Sequence, residues 1–226
     1  MRDPLHVAAP RTAPVRVVHF ICPTGVYGAE RWILSLLAHL DGERVSASVL
    51  TLGDKPGTAA AHRHLVERGV RCAHIERGGK LSPSAIGAVR DFLRRERVEI
   101  LHTHGFKSDV IGFLASRGAP VRVVTTPHGW SANEGPRIAA YEAIGRVFMR
   151  RFDRVYPLSA TLERDLLGRG FRPTLVRMVR NAVDDGPLRP IYRARTAAAR
   201  RSSGLVLFVG RISRQKGALD LLEAFA

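Results

Sequence analysis

The most chemically pointed stretch of the chain is Gly210 to Gly217 (GRISRQKG), where Arg211, Arg214 and Lys216 share one loop between an apolar run and a helical pattern. A guanidinium that grips two oxygens, an ammonium and the free N–H groups of a helix start together suit a diphosphate. A solvated basic turn would use the same residues. His128 lies in Thr126 to Trp130 (TPHGW), with Gly129 beside it giving close access. An imidazole there can hydrogen-bond a sugar hydroxyl or a phosphate near neutral pH; a structural histidine in a turn is the alternative. Cys22 to Glu30 (CPTGVYGAE) offers Gly25 and Gly28 between a strand and a helix. Glycine lets backbone N–H groups approach a ligand, although a tight turn needs the same residue, and the loop has no Gly-Lys-Ser/Thr. Leu101 to Phe106 (LHTHGF) carries His102 and His104. These are read as pointing to opposite sides of an extended segment, and no acidic or sulfur partner stands nearby in the chain, so no metal site is expected.

The elements that must position these loops alternate. Apolar, β-branched runs at Val15–Ile21, Val45–Leu52, Val70–Ile75, Val98–His102, Val121–Thr126, Arg154–Leu158 and Leu175–Val179 predict strands. Between them, helical spacing runs over Ala29–Leu40, Gly57–Arg68, a segment opened by Ser82 and Pro83, Phe106–Ser116, about Pro136–Arg151, and a helix capped by Ser159 that ends near Gly168. Repeated β-then-α units predict a parallel sheet with helices on both faces, and ligands then bind at the carboxyl ends of the strands. Residues 1–14 read as a disordered lead-in, 15–184 as the main domain and 185–203 as a linker. Residues 204–226 read as the start of a second domain, with a strand at Leu205–Val209 and a helix from Gly217. One strand and one helix cannot bury their own faces.

Composition narrows the class. The 226 residues are 45% hydrophobic and 25% charged, ordinary for a globular protein with a real core. Cys22 and Cys72 show no framework spacing and read as reduced thiols of a cytoplasmic protein. No stretch reaches the roughly 20 apolar residues that span a bilayer. The net charge of +16 fits either a surface drawn to phosphates or simply an arginine-rich composition. The arginines are scattered and not interleaved with aromatics, which argues against a specific nucleic-acid groove.

In order, these loops resemble the family 4 glycosyltransferases. GVYGAERW is similar to that family's Gly-Gly-x-Glu segment, with Tyr27 in place of one glycine. VEILHTHGFKSDV from Val98 is similar to its His-x-His strand end, VVTTPHGW to its later His-Gly turn, and FDRVYPLSATLERDLLGRGF from Phe152 to its strand-Ser-helix unit. VRNAVD (Val179–Asp184) resembles its inter-domain connection, with Ala182 where glycine is usual, and LFVGRISRQKGALDLLEAF closely resembles the opening of its donor domain.

The resemblance implies a GT-B architecture: a Rossmann-like, acceptor-side N-terminal domain followed by an incomplete second Rossmann-like domain. It implies retaining, hexosyltransferase-type transfer from a nucleotide-sugar donor to a glycan or lipid-linked acceptor. Arg211, Lys216 and Gly28 would bind the donor diphosphate and His128 would contact the transferred sugar as the catalytic-site residue. No cofactor or metal would be needed, because the cations stabilise the leaving phosphate. Acceptor specificity is expected in the loops Gly53–Gly57 and Ser131–Arg137. Docking at the inner membrane face is compatible with such acceptors. The family's paired donor-domain acids lie beyond this chain, so transfer by the chain as it stands is expected to be impaired. A non-catalytic, acceptor- or partner-binding remnant is the alternative.

Overall fold

The computed structural model describes residues 13–77, 82–130, 136–182, 186, 189–190, 206–210, 212 and 217–225, without the side chains of 136–139. Six strands alternate with helices: β1 (Val15–Ile21), α1 (Gly28–Leu37), β2 (Val45–Leu52), α2 (Pro56–Val66), β3 (Cys72–Ile75), α3 (Pro83–Arg95), β4 (Ile100–Thr103), α4 (Phe106–Ser116), β5 (Arg122–Thr125), α5 (Pro136–Met149), β6 (Arg154–Val155) and α6 (Ala160–Gly168). A separate helix, α7 (Ala218–Glu223), follows. All pairings are parallel, in the order β3-β2-β1-β4-β5-β6. That is the order of a Rossmann-like sheet. Successive strands step outward from β1 on one side and then, beginning at β4, on the other.

Alternation along the strands divides the core. Val18, Phe20, Leu50, Leu52 and Leu101 face α3 and α4, where they meet Val89, Phe92, Leu93 and Ile111. Ile21 and Val49 face the other way, against Ile33 of α1 and Leu65 of α2. A third cluster joins Phe113 of α4, Val123, Met149, Val155 and Leu166 beneath α5 and α6. Each such fully buried side chain contributes about 1.5–3 kcal/mol relative to exposure.

Several expected ends shift for identifiable reasons. Ser82 does stand at the N-cap of α3, but its hydroxyl bonds that of Ser84 rather than a backbone N–H. Ser159 caps α6 as expected, accepting from the Leu162 N–H. The strand expected at Arg154–Leu158 is two residues long, and Leu175–Val179 pairs with it through one regular bridge, Val155 to Val176. The backbone bonds nevertheless continue: Arg177 and Val179 donate to the carbonyls of Val155 and Pro157. Pro157 has no N–H to return, which interrupts the ladder. The strand expected at Leu205–Val209 is absent among the described residues. Val206 to Val209 has no sheet partner there, and Leu207 is 77% exposed. An extended segment cannot satisfy its backbone as a strand without a neighbour. The domain limits expected at 184 and 203 lie outside the described residues.

One contact ties the first two β-to-α connections together. A Cβ on Gly57, in the first turn of α2, would stand 2.0 Å from the carbonyl oxygen of Thr24. Thr58 donates its hydroxyl to the neighbouring carbonyl of Pro23 at 2.7 Å. Gly57→Ala should therefore cost about 1–3 kcal/mol, because backbone cannot yield as a side chain can. Gly28→Ala, where the added methyl meets nothing within 4 Å, should stay within a few tenths. Urea unfolding of both variants checks the contrast.

Candidate functional site at the switch point of the sheet

β1 and β4 lie side by side, and their following helices leave on opposite faces: Ile33 of α1 packs in one apolar cluster and Ile111 of α4 in the other. A crevice must open where those connections diverge. Strand register fills its floor. His19 of β1 is the Cα partner of His102 of β4, and both point toward α1. His104, two residues on, points the same way; its ring centroid is 4.3 Å from that of His102. The expectation that His102 and His104 point apart is therefore corrected. Residues two apart on extended backbone share a face, and it is neighbours that alternate.

The four histidines form a connected group. His19 Nδ1 and His104 Nε2 are 3.0 Å apart, and His104 Nδ1 lies 3.2 Å from His128 Nε2. His102 Nε2 meets the Thr126 hydroxyl at 2.8 Å. Trp32 of α1 covers the group, with its ring 5.5 Å from His104, 5.6 Å from His128 and 6.1 Å from His102. Burial lowers the pKa of all four: His19 to about 4, and His102 and His104 well below the ordinary value, with neighbouring imidazoles adding repulsion. His128 is crowded by His104 and Trp32 on one side, yet it is exposed on the other. Gly129, at φ +130°, turns the chain sharply after it, a conformation that favours glycine.

On the opposite face of the same strand ends sits a buried carboxyl. Asp109 of α4 accepts the hydroxyls of Thr103 at 2.5 Å and Thr125 at 2.8 Å. Burial raises its pKa to about 6, with those two bonds pulling the other way. The group pins β4, β5 and α4 together beneath the site.

Two clefts flank the crevice and share a wall, Phe106 against Tyr141, with ring centroids 5.3 Å apart. One, of about 340 Å³, is bordered by His128, Gly129, Trp130 and Glu142. The other, of about 460 Å³, runs from Cys22 and Leu52 to Lys55 and Lys107 and is mostly apolar. Burial pushes the Cys22 thiol up to about 12, so it stays protonated.

Of the residues singled out in the sequence, His128 lies in this site. Gly28 opens α1 on the same side, with free space where a side chain would stand and Tyr27 as N-cap. The Tyr27 N–H donates to Glu30 at 2.7 Å, which holds that buried carboxylate at the helix start. Arg211 and Lys216 lie outside the described residues, as do 131–135 of the second loop expected to select an acceptor. The first such loop, Gly53 to Gly57, borders the larger cleft. Sequence reasoning missed His19, Trp32 and Asp109. Polar residues inside otherwise apolar runs or faces were the available signal.

Residues 26–186 match the pattern of Glycosyltransferase Family 4. The chain belongs to that family. No curated protein matches it in sequence. Solved structures share its fold. Anabaena HepE, in complex with UDP and glucose, is 16% identical with a TM-score of 0.70 over 93% of this chain and 57% of its own. A glycosyltransferase from Rickettsia africae is 15% identical with a TM-score of 0.63, over 94% and 57%. A UDP-N-acetylglucosamine 2-epimerase from Rickettsia bellii is 12% identical with a TM-score of 0.57, over 84% and 50%. At these identities the likeness shows the fold, here the GT-B N-terminal architecture, and the chain spans about 57% of the length of the first two. Among the described residues no helix is long and apolar enough to cross a membrane.

The histidine group predicts acid sensitivity with a definite sign. Between about pH 6.5 and 4 the unfolded chain protonates imidazoles that the native fold keeps neutral. Stability is complete above that window and falls as pH drops through it. Each of the three buried histidines, His19, His102 and His104, contributes a slope of up to about 1.4 kcal/mol per pH unit within its own range, and the exposed His128 less, because solvent screens it. Asp109, with its raised pKa, acts in the opposite sense between about 4 and 6, but it is one group against four. Urea midpoints in chelator-containing buffer should fall steadily from pH 7 to 5, and the slope should shrink in His102→Gln.

Proposed function

We propose that the chain forms the acceptor-side part of a retaining glycosyltransferase that moves a hexose from a nucleotide-sugar donor to a glycan or lipid-linked acceptor. The observation that carries this reading is the placement of His128 and Gly129. They stand at the carboxyl end of β5, beside the switch point and at the mouth of a cleft. Because burial lowers its pKa, His128 is neutral at pH 7, and with Nε2 directed at His104 its Nδ1 is left to hydrogen-bond a sugar hydroxyl. Gly28 supports the donor side of the reading. With no side chain and open space around it, its N–H at the start of α1 can approach a phosphate. HepE, with which the chain shares its fold, is seen with UDP and glucose.

Arg211 and Lys216 supply the donor grip in this reading: a bidentate guanidinium and a point charge on the diphosphate, which stabilise the departing nucleoside diphosphate without a metal. The larger cleft supports the acceptor. It is mostly apolar and carries Lys55 and Lys107, two of the chain's four lysines. That pairing suits an acceptor with an apolar part and a phosphate, as a lipid-linked sugar has, and docking beside an anionic membrane surface would follow.

The test is release of nucleoside diphosphate from UDP-hexoses in the presence of phosphate-bearing lipid and glycan acceptors. His128→Ala should lower kcat about 10²-fold or more with a smaller change in KM. Arg211→Ala with Lys216→Ala should weaken UDP-sugar binding at least tenfold by calorimetry. Equal donor affinity in that double variant and wild type would sink the donor assignment. Acceptor binding with no transfer by the wild-type chain would favour the non-catalytic, acceptor-binding alternative.

A further inference from the structure

We propose that His19, His102 and His104 form a binding site for one divalent transition-metal ion of the zinc class. One ring nitrogen from each of the three lies within 4.8 Å of one from each of the others, and all three side chains are buried. The tightest pair, His19 Nδ1 and His104 Nε2, is 3.0 Å apart. Two imidazoles on one zinc, each at about 2.0–2.1 Å, stand roughly 2.9–3.4 Å apart, depending on the bond angle. The rings therefore need little movement to share an ion in place of the proton they now share.

The outer partners are those that ligating histidines use. A metal-bound imidazole donates its other N–H to a fixed acceptor, which sets its tautomer. His104 has Nδ1 directed at His128 Nε2, and His102 has Nε2 directed at the Thr126 hydroxyl. His104 and His102 can thus each hand one N–H outward and turn a lone pair inward. Among the described residues, His19 Nε2 and His102 Nδ1 have no hydrogen-bond partner. Burying ring nitrogens at that cost, where apolar side chains would pack more cheaply, points to a ligand.

The donor set selects the metal. The hydrogen bonds of these rings run to other imidazoles and to threonine, not to carboxylates. Magnesium and calcium need oxygen ligands, whereas zinc, cobalt, nickel and copper accept imidazole. Trp32 closes the site on the α1 side. The site stands on these residues alone and does not depend on sugar transfer.

The experiment uses tag-free chain stripped with chelator, incubated with Zn²⁺ or Co²⁺ and passed through gel filtration. The expected result is one equivalent retained, visible d–d bands with Co²⁺, and a Tm raised by several degrees. His19→Gln and His104→Gln should each lower retention at least tenfold. His62→Gln, in the separate half-buried set where His62 meets Cys72 and packs on His74, should not. Where a variant does not fold, Co²⁺-induced shifts of the histidine ring protons in the wild-type chain decide. Shifts on His19, His102 and His104 support the site, whereas shifts centred on His39, His64 or the His62–His74 pair overturn it. Retention of less than a tenth of an equivalent by folded wild-type protein also overturns it.

Discussion

Everything in this fold follows from β1 and β4 lying side by side in a parallel sheet while their helices depart on opposite faces. Two helices leaving in opposite directions cannot both cover the gap between them. The sheet is left open there at its carboxyl end, and α1 begins beside the opening. The apolar clusters above and below are what make that gap rigid. Ile21 and Ile33 fix one wall, and Phe20, Leu101 and Ile111 the other.

The two faces of the strand ends solve the burial of polar groups differently. Beneath the site, Asp109 is fully enclosed and takes two threonine hydroxyls. It behaves as a clamp whose energy lies in closed hydrogen bonds. Above it, the imidazoles are only partly satisfied and repel one another's protons. Desolvation dominates on both faces, yet it drives the carboxyl toward its protonated form and the imidazoles toward their deprotonated form. The imidazoles are thereby neutral at pH 7, whereas Asp109, at about 6, is mostly ionised there and keeps its charge by accepting the two threonine hydroxyls.

Much of the sheet was legible in the sequence, because β-branched runs separated by helical spacing leave few other solutions. The six-strand sheet and the end of α6 at Gly168 follow from local pattern. What was not legible depended on partners. Val206 to Val209 reads as a buried strand but finds no neighbour among the described residues, and Pro157 breaks a ladder that the run Arg154–Leu158 promised. The histidines show the limit most clearly. His19 sits inside VRVVHFI, where apolar neighbours conceal it, and only the register of β1 against β4 brings it beside His102. His102 and His104 were visible, but assigning them to opposite faces hid the group. His128 was singled out because it follows a strand end, the one place the fold rule names in advance, and the fold does put it beside the crevice. Arg211 and Lys216 rest on chemistry and resemblance alone.

The close approach of Gly57 to Thr24 has a consequence for how such a protein can diversify. Main chain resting on main chain leaves no side chain free to adjust at that seam, so the rim formed by the first two connections behaves as one inherited piece. Point changes there would be filtered by whether the seam still closes, before any new partner could be tried. Novel preferences should therefore accumulate at positions such as Lys107, which borders the same cleft from α4, outside the first two connections.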